Sequence, residues 1–290
     1  MLPTASPLIL FTDLDGCLLN KHDYDWSPAS ATLDELRQRQ IPVVMNSSKT
    51  VPEMTLLAAD LGLTGNTFVS ENGSVIRWGQ DAGELSGEIE IIGAARDQIL
   101  DVLKPLKQSF RFRSFADLGL DGVIQATQLS KDRSQLALAR QGTEPLLWDD
   151  SDENRDLFER QLQTHQLTLT RGGRFWHVAG RTSKGQAMQV VAQRLSLLMA
   201  GCESDSSPIS DSSPITAAIG DSPIDQSMLD VADIPIGIPT ANGLGVNVAP
   251  DRGIVASAQG AAGWAEAVTE LLARIDVSSA DSLPNPLPRA

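Results

Sequence analysis

The sequence predicts an α/β fold built on a parallel sheet, and three observations predict it. Short apolar runs at Leu8–Phe11, Ile41–Met45 and Ala217–Ile219 have the length of buried strands. Helical patterns follow the first two, at Pro28 to Gln40 (Leu33, Leu36) and Val51 to Leu61 (Met54, Leu57, Ala58). Strands alternating with helices imply a parallel sheet with right-handed crossovers. The third observation is chemical. Each run closes on a polar cluster: Asp13 and Asp15 after the first, Ser47 and Ser48 after the second, Asp221 and Asp225 after the third. Ligands of open α/β sheets bind at the carboxyl ends of the strands.

The elements follow in order. Ser27-Pro28 reads as a helix start, with serine at the cap and proline at the first helical position. Thr67–Ser70 is strand-like and runs into Glu71-Asn72-Gly73, an Asn-Gly turn signal. From about 84 to 180 the pattern changes to a strand at Glu88–Ile91, a helix near 95–107 and scattered shorter elements. Arg181-Thr182-Ser183-Lys184-Gly185 then opens another helix (Ala187, Val190, Val191, Leu195, Leu198), and the chain closes on a helix carrying Trp264, Val268, Leu271 and Leu272. The Ser-, Asp- and Pro-rich stretch 203–214 and the tail 276–290 hold too few apolar residues to order themselves, and both are expected to be disordered.

A buried strand that delivers two carboxylates needs an explanation, because unpaired buried charge is expensive. A hard cation such as Mg²⁺ supplies one, since it takes carboxylate and phosphate oxygens together; an Asx-type turn is the plainer alternative. Plainer alternatives also stand beside the other clusters. Ser47 or Ser48 could cap the helix from Val51, and Asp221-Ser222-Pro223 could be a helix start. Lys184 could be a solvated first-turn residue, although a positive charge there opposes the helix dipole.

Four motifs, DLDGCLL (13–19), NSSKT (46–50), KG (184–185) and GDSPID (220–225), resemble those of the haloacid dehalogenase superfamily of phosphatases. Together with NSSKT, the segments Val69–Ser74 and Thr170–His177 are similar to those of its mannosyl-3-phosphoglycerate phosphatase branch, with glucosyl-3-phosphoglycerate phosphatases as close relatives. The resemblance implies a Rossmann-like parallel sheet core (1–83 and 181–275) with an inserted α/β cap domain (84–180). It implies Asp13 as the nucleophile, Asp15 as acid and then base, Ser47 and Lys184 at the phosphoryl group, and Mg²⁺ at Asp13, Asp15 and Asp221, with Asp225 beside them. Where the family pattern has Asn before the final aspartate, this chain has Ile224; where it more often has Thr, this chain has Cys17, read here as a small packing residue. Glu71, Asn72 and Gly73 are expected to meet sugar hydroxyls. Arg171, Gly172, Gly173 and Arg174 are expected to hold the glycerate carboxylate or phosphate through guanidinium forks and backbone N–H groups. His177, between Trp176 and Val178, reads as a packed residue, and Trp148 and Asp149 as cap lining.

The implied activity is an Mg²⁺-dependent phosphatase acting on mannosyl- or glucosyl-3-phosphoglycerate. The alternatives are another sugar phosphatase, such as a sucrose-phosphate phosphatase, or a catalytically silent carbohydrate-binding module. Composition bounds the partners. A net charge of −14 without a basic stripe argues against nucleic acid. An anionic substrate therefore requires local reversal of sign, by Mg²⁺, Lys184 and a few arginines. No apolar run reaches membrane-span length, no signal-peptide pattern opens the chain, and two cysteines make no disulfide framework, so the expectation is a cytoplasmic enzyme away from membranes. Oligomeric state is left open.

Overall fold

The computed structural model describes residues 8–172, 174–201 and 214–281. In chain order its elements are β1 (Leu8–Thr12), α1 (Ser30–Gln38), β2 (Val43–Met45), α2 (Val51–Asp60), β3 (Phe68–Ser70), β4 (Val75–Arg77), β5 (Ile89–Ile91), α3 (Arg96–Leu106), β6 (Phe112–Ser114) and α4 (Phe115–Thr127). There follow α5 (Lys131–Leu138), β7 (Thr143–Trp148), α6 (Asp152–Thr164), β8 (Leu167–Arg171), β9 (Trp176–Gly180), α7 (Lys184–Gly201), β10 (Ile215–Gly220), α8 (Gln226–Val231), β11 (Ile234–Gly237), β12 (Ile254–Val255) and α9 (Gly260–Asp281). The chain divides into two compact units, residues 1–43 with 196–290, and residues 44–195.

The first unit carries the parallel sheet, in the order β12-β11-β10-β1-β2, with the unit boundary falling inside β2. β1 pairs in parallel with β10 from Leu8↔Ile215 to Thr12↔Ile219, and Asp13 N–H continues the ladder to the Ile219 carbonyl at 2.9 Å. All five residues of β1 are buried, as a strand covered on both faces requires. Trp264, Val268, Leu271 and Leu272 of α9 are buried, so the apolar period of that helix marks its core face. The indole Nε1–H of Trp264 donates to Thr12 Oγ1 at 2.9 Å, so the polar edge of the ring is satisfied where it meets the end of β1.

The second unit holds two antiparallel sheets, β3-β4-β5 and β6-β7-β9-β8. In the larger, β9 pairs with β7 (Pro145↔His177) and with β8 (Thr170↔His177). One face of this sheet packs Phe112, Leu146, Leu169 and Val178 against Ile99 and Leu103 of α3 and Phe158 and Leu162 of α6. Phe158 lies 5.1 Å, ring to ring, from both Phe112 and Trp148, so Trp148 packs beside the aromatic core of this unit. The inserted α/β cap of the predicted fold is present as this sheet with its helices.

Several local expectations change. Ser27 does not cap its helix: its hydroxyl donates to Asp25 Oδ2 at 2.9 Å, and residues 27–29 form a single 3-10 turn ahead of α1. α9 continues to Asp281, six residues into the segment expected to be disordered, and Arg39 binds the Asp276 carboxylate with Nη1 at 2.9 and 3.0 Å. Composition does not reveal that contact, because its two halves are 237 residues apart. Of the expected insertion 203–214, all but the last residue lies outside the described residues, as do 282–290 of the tail.

Trp264→Ala removes a fully buried indole and the hydrogen bond it donates to Thr12 Oγ1, while the Thr12 hydroxyl keeps its own bond to the Asp13 carbonyl, so the cost is that of the cavity and should be about 3–5 kcal/mol in urea unfolding. Asp276→Ala, breaking an exposed pair, should change stability by less than about 1 kcal/mol in the same measurement.

Candidate active site

In the first unit, the register that places Thr12 beside Ile219 brings Asp13 and Asp221 to the carboxyl ends of neighbouring strands. Both are buried, at 7% and 3% exposure. One carboxylate oxygen of each and the Cys17 thiol lie within 4.8 Å of one another, a group able to hold a metal ion. The backbone leaves room for these carboxylates: Gly16 has φ +93°, and a Cβ there would stand 2.6 Å from Asp221 Oδ2. Two hard carboxylate oxygens suit Mg²⁺, so the residues present fit the ion that the motifs imply. A cleft of about 370 Å³ opens beside Gly16 and Asp221, and Lys21 and His22 line it. His22 lies in polar, weakly patterned surroundings and carries no signal in the sequence.

Asp225, expected beside the metal ligands, anchors the loop that carries Asp221. Its Oδ2 accepts from Asp221 N–H (3.2 Å), Ser222 N–H (3.0 Å) and Ser222 Oγ–H (2.7 Å). It is fully buried, and one oxygen shared by three donors holds the turn that presents Asp221. Asp15, half-buried, lies at the following turn, where Gly16 N–H donates to the Leu19 carbonyl at 2.8 Å.

In the second unit, three motifs are bonded into one cluster. Ser47 N–H donates to the Val69 carbonyl (3.1 Å), Asn72 N–H to the Ser47 carbonyl (2.9 Å) and Glu71 N–H to the Lys49 carbonyl (2.9 Å). Asn46 Nδ2 donates to the Lys184 carbonyl at 3.1 Å. The cap of α2 is Thr50, which exchanges hydrogen bonds with Glu53 in a capping box, so neither Ser47 nor Ser48 serves that purpose. Ser47 is fully buried, and its Oγ accepts weakly from Lys49 N–H at 3.4 Å, which leaves the hydroxyl proton to donate. Lys184 is 2% exposed at the first position of α7. A buried ammonium at a helix start is doubly unfavourable unless an anion offsets it.

Two expected sugar contacts are structural. The Glu71 carboxylate is fully buried and accepts from Gln141 N–H (2.8 Å), Gly142 N–H (3.2 Å) and Thr143 Oγ–H (2.5 Å), with Arg140 Nε at 3.5 Å. Arg140 in turn donates to the Ser48 carbonyl at 2.9 Å. Gly73, at φ +96°, is glycine because a Cβ would stand 2.2 Å from the Ser183 carbonyl oxygen, and Thr182 Oγ–H binds its carbonyl at 2.7 Å. The turn therefore locks the start of α7, and with it Lys184, onto the end of β3. Asn72, in the left-handed region at φ 57°, keeps its side-chain Oδ1 buried and without a hydrogen-bond partner.

The expected glycerate-binding hairpin is also partly committed. Gly172 N–H donates to the Phe175 carbonyl at 2.9 Å, so it offers no free donor. Arg174 Nη1 donates to the carbonyls of Ala126 (3.1 Å) and Thr127 (2.9 Å), closing the carboxyl end of α4. Arg171 stacks on Trp176, 5.2 Å from the ring centroid. Gly173 lies outside the described residues. Asp149 pairs with Arg113 at 2.8 Å on the exposed side of the cap. His177 is half-buried, and burial first, then the charge of Arg140, holds its pKa down to about 3. It is neutral across the ordinary working range.

With this geometry in hand, the chain is placed by comparison. A model of haloacid dehalogenase-like hydrolases matches residues 10–158, and the chain belongs to that family. Three solved structures share the fold. A haloacid dehalogenase-like hydrolase from B. subtilis is 18% identical, with TM-score 0.55, covering 91% of this chain and 98% of its own. A protein from Thermoplasma acidophilum is 15% identical, with TM-score 0.61 and coverage of 94% and 99%. A Bacteroides thetaiotaomicron protein described among the phosphatases of the haloalkanoate superfamily is 14% identical, with TM-score 0.61 and coverage of 95% and 97%. Among the described residues no helix is long and apolar enough to cross a membrane.

Glu71→Ala leaves Arg140 buried without its carboxylate and three donors unsatisfied, so stability should fall by about 3–5 kcal/mol in urea unfolding. Adding Arg140→Met removes the uncompensated charge and should recover part of that loss. The His177 pKa carries a sign as well. Because the folded value lies below the ordinary value of 6.5, the unfolded chain takes up the proton first, and stability is lost as pH falls from about 6.5 toward 3. His177→Asn should show a shallower loss over that window than the parent protein when melting is followed against pH.

Proposed function

We propose that this hydrolase is a Mg²⁺-dependent phosphatase that removes the 3-phosphate from mannosyl- or glucosyl-3-phosphoglycerate. The observation that carries the phosphatase reading is the pair of buried carboxylates, Asp13 and Asp221, converging at the ends of β1 and β10. Such a pair suits a divalent cation, and a cation beside a strand-end aspartate suits phosphoryl transfer.

Asp13 attacks phosphorus in line and forms an aspartyl-phosphate as the ester P–O bond breaks. Asp15 gives its proton to the departing sugar-glycerate oxygen. It then takes a proton from the water that attacks the phosphoaspartate, which restores both carboxyl groups and releases inorganic phosphate. Asp13, Asp221 and the backbone carbonyl of Asp15 would hold Mg²⁺, which would neutralise charge on the phosphoryl oxygens when bound. Ser47 donates its hydroxyl proton to a phosphoryl oxygen, and Lys184 supplies positive charge to the same group. Asp225 acts through Asp221, by holding its turn. The substrate class rests on the likeness of NSSKT, Val69–Ser74 and Thr170–His177 to the hexosyl-3-phosphoglycerate phosphatases.

Asp13→Asn should abolish phosphate release, by at least about a thousandfold, while thermal melting stays near that of the parent. Exhaustive chelation should silence the parent protein and added Mg²⁺ should restore it. Near-normal turnover by a folded Asp13→Asn protein, or activity indifferent to chelator, would overturn the mechanism.

A further inference from the structure

The second unit contains buried polar atoms without hydrogen-bond partners on residues that neighbour one ion pair, Glu71 with Arg140. They are Asn72 Oδ1, Ser74 Oγ, Gln141 Oε1 and His177 Nδ1. Their connection runs through Glu71 and Arg140. Asn72 follows Glu71 in the turn, Gln141 N–H binds Glu71 Oε1, and His177, paired with Pro145, lies on the same sheet face as Thr143, whose hydroxyl binds Glu71 Oε2. Gly142 brings the two segments into contact, since a Cβ there would stand 2.8 Å from Ser74 Cβ. Each buried polar atom without a partner costs roughly 1–3 kcal/mol. Four around one pair, in a unit whose other buried carboxylate, Glu144, is bound by Arg96 Nε and Ala116 N–H, call for a ligand.

The type of atom selects the ligand. Asn72 Oδ1 and Gln141 Oε1 are carbonyl oxygens and only accept, and Nδ1 of the neutral His177 ring accepts when the proton is on Nε2. An ionised phosphate or carboxylate brings no donor to them. The cationic groups nearby are already engaged, Arg140 by Glu71 and Thr143, Arg174 by the end of α4. A ligand with several hydroxyl donors is what these atoms lack. The position of His177 agrees. In β9 it alternates with Val178, which faces the apolar core, so the imidazole lies on the opposite side of the sheet. Gly172 gives the ring space, because a Cβ there would stand 2.8 Å from Nε2.

We propose that Gln141 and His177, together with Asn72, read the hydroxyl groups of a hexose-bearing substrate. The inference rests on the substrate class proposed above and adds to it the residues that recognise the sugar. His177 thereby changes from a packed residue to a specificity-determining one.

The test uses the full chain and phosphate release from mannosyl-3-phosphoglycerate, glucosyl-3-phosphoglycerate and 3-phosphoglycerate, which lacks the hexose. Gln141→Leu and His177→Leu should each lower the ratio of kcat/KM on the preferred hexosyl compound to that on 3-phosphoglycerate by about tenfold. His177→Asn, whose Oδ1 can accept where Nδ1 did, should recover most of that ratio. If a leucine variant does not melt cooperatively, Gln141→Met and His177→Phe take its place. A ratio left unchanged, or an asparagine variant no better than leucine, would overturn the inference. A parent protein that does not prefer either hexosyl compound to 3-phosphoglycerate would instead overturn the substrate class. The hydroxyl-reading role is then decided on glucose 6-phosphate against p-nitrophenyl phosphate: a ratio that falls in the variants upholds it, and a constant ratio rejects it.

Discussion

The parallel pairing of β1 with β10 is the constraint on which the chemistry depends. Its register sets Thr12 against Ile219, and the next residues along the two strands are where the chain can carry charge to the sheet edge. Burying Asp13 and Asp221 side by side opposes folding, because two like charges are desolvated together. The surroundings hold them there nonetheless. Trp264 pins the end of β1 through Thr12, Gly16 makes space beside Asp221, and Asp225 gathers three donors to fix the turn. Scaffolding of this kind suits a group able to hold a cation, which would return electrostatic cost on binding.

The second unit follows a different logic, in which residues that look like ligand contacts are spent on internal architecture. Glu71 is saturated by two backbone amides, a hydroxyl and Arg140, and Gly73 exists to let the start of α7 approach. The consequence is positional. The NSSKT segment and the Glu71–Gly73 turn are joined by backbone hydrogen bonds, and the start of α7 is tied to them by the Asn46 and Thr182 side chains and one close glycine contact, so a shift of any one moves the others. Rigid support of this kind is what phosphoryl transfer needs from groups whose work is placement and charge. The acidity of the chain does not conflict with a buried cationic group, because net charge is a property of the whole surface whereas Lys184 is buried.

The sequence by itself determined the parallel sheet, its strand ends and the identity of the charged groups there. Those features are local: a run of apolar residues has one way to be buried on both faces, and the residue after it sits at the sheet edge. The core helices α2, α7 and α9 were legible for a related reason, since Met54 and Ala58, Ala187 and Val191, and Trp264 and Val268 are buried pairs four residues apart, each on one face of its helix. Only the tertiary structure decided which polar residues are consumed. Whether Glu71 meets a sugar or Gln141, whether Arg174 meets an anion or the end of α4, and whether Ser47 or Thr50 caps α2 depends on partners distant in sequence or on backbone geometry. The three bonds that Asp225 accepts, and the burial that keeps His177 neutral, are likewise decided by the fold. A side chain's type states what it can bind; the groups that fold brings within hydrogen-bonding reach decide what it does bind, because a donor or acceptor already satisfied has little to offer a ligand.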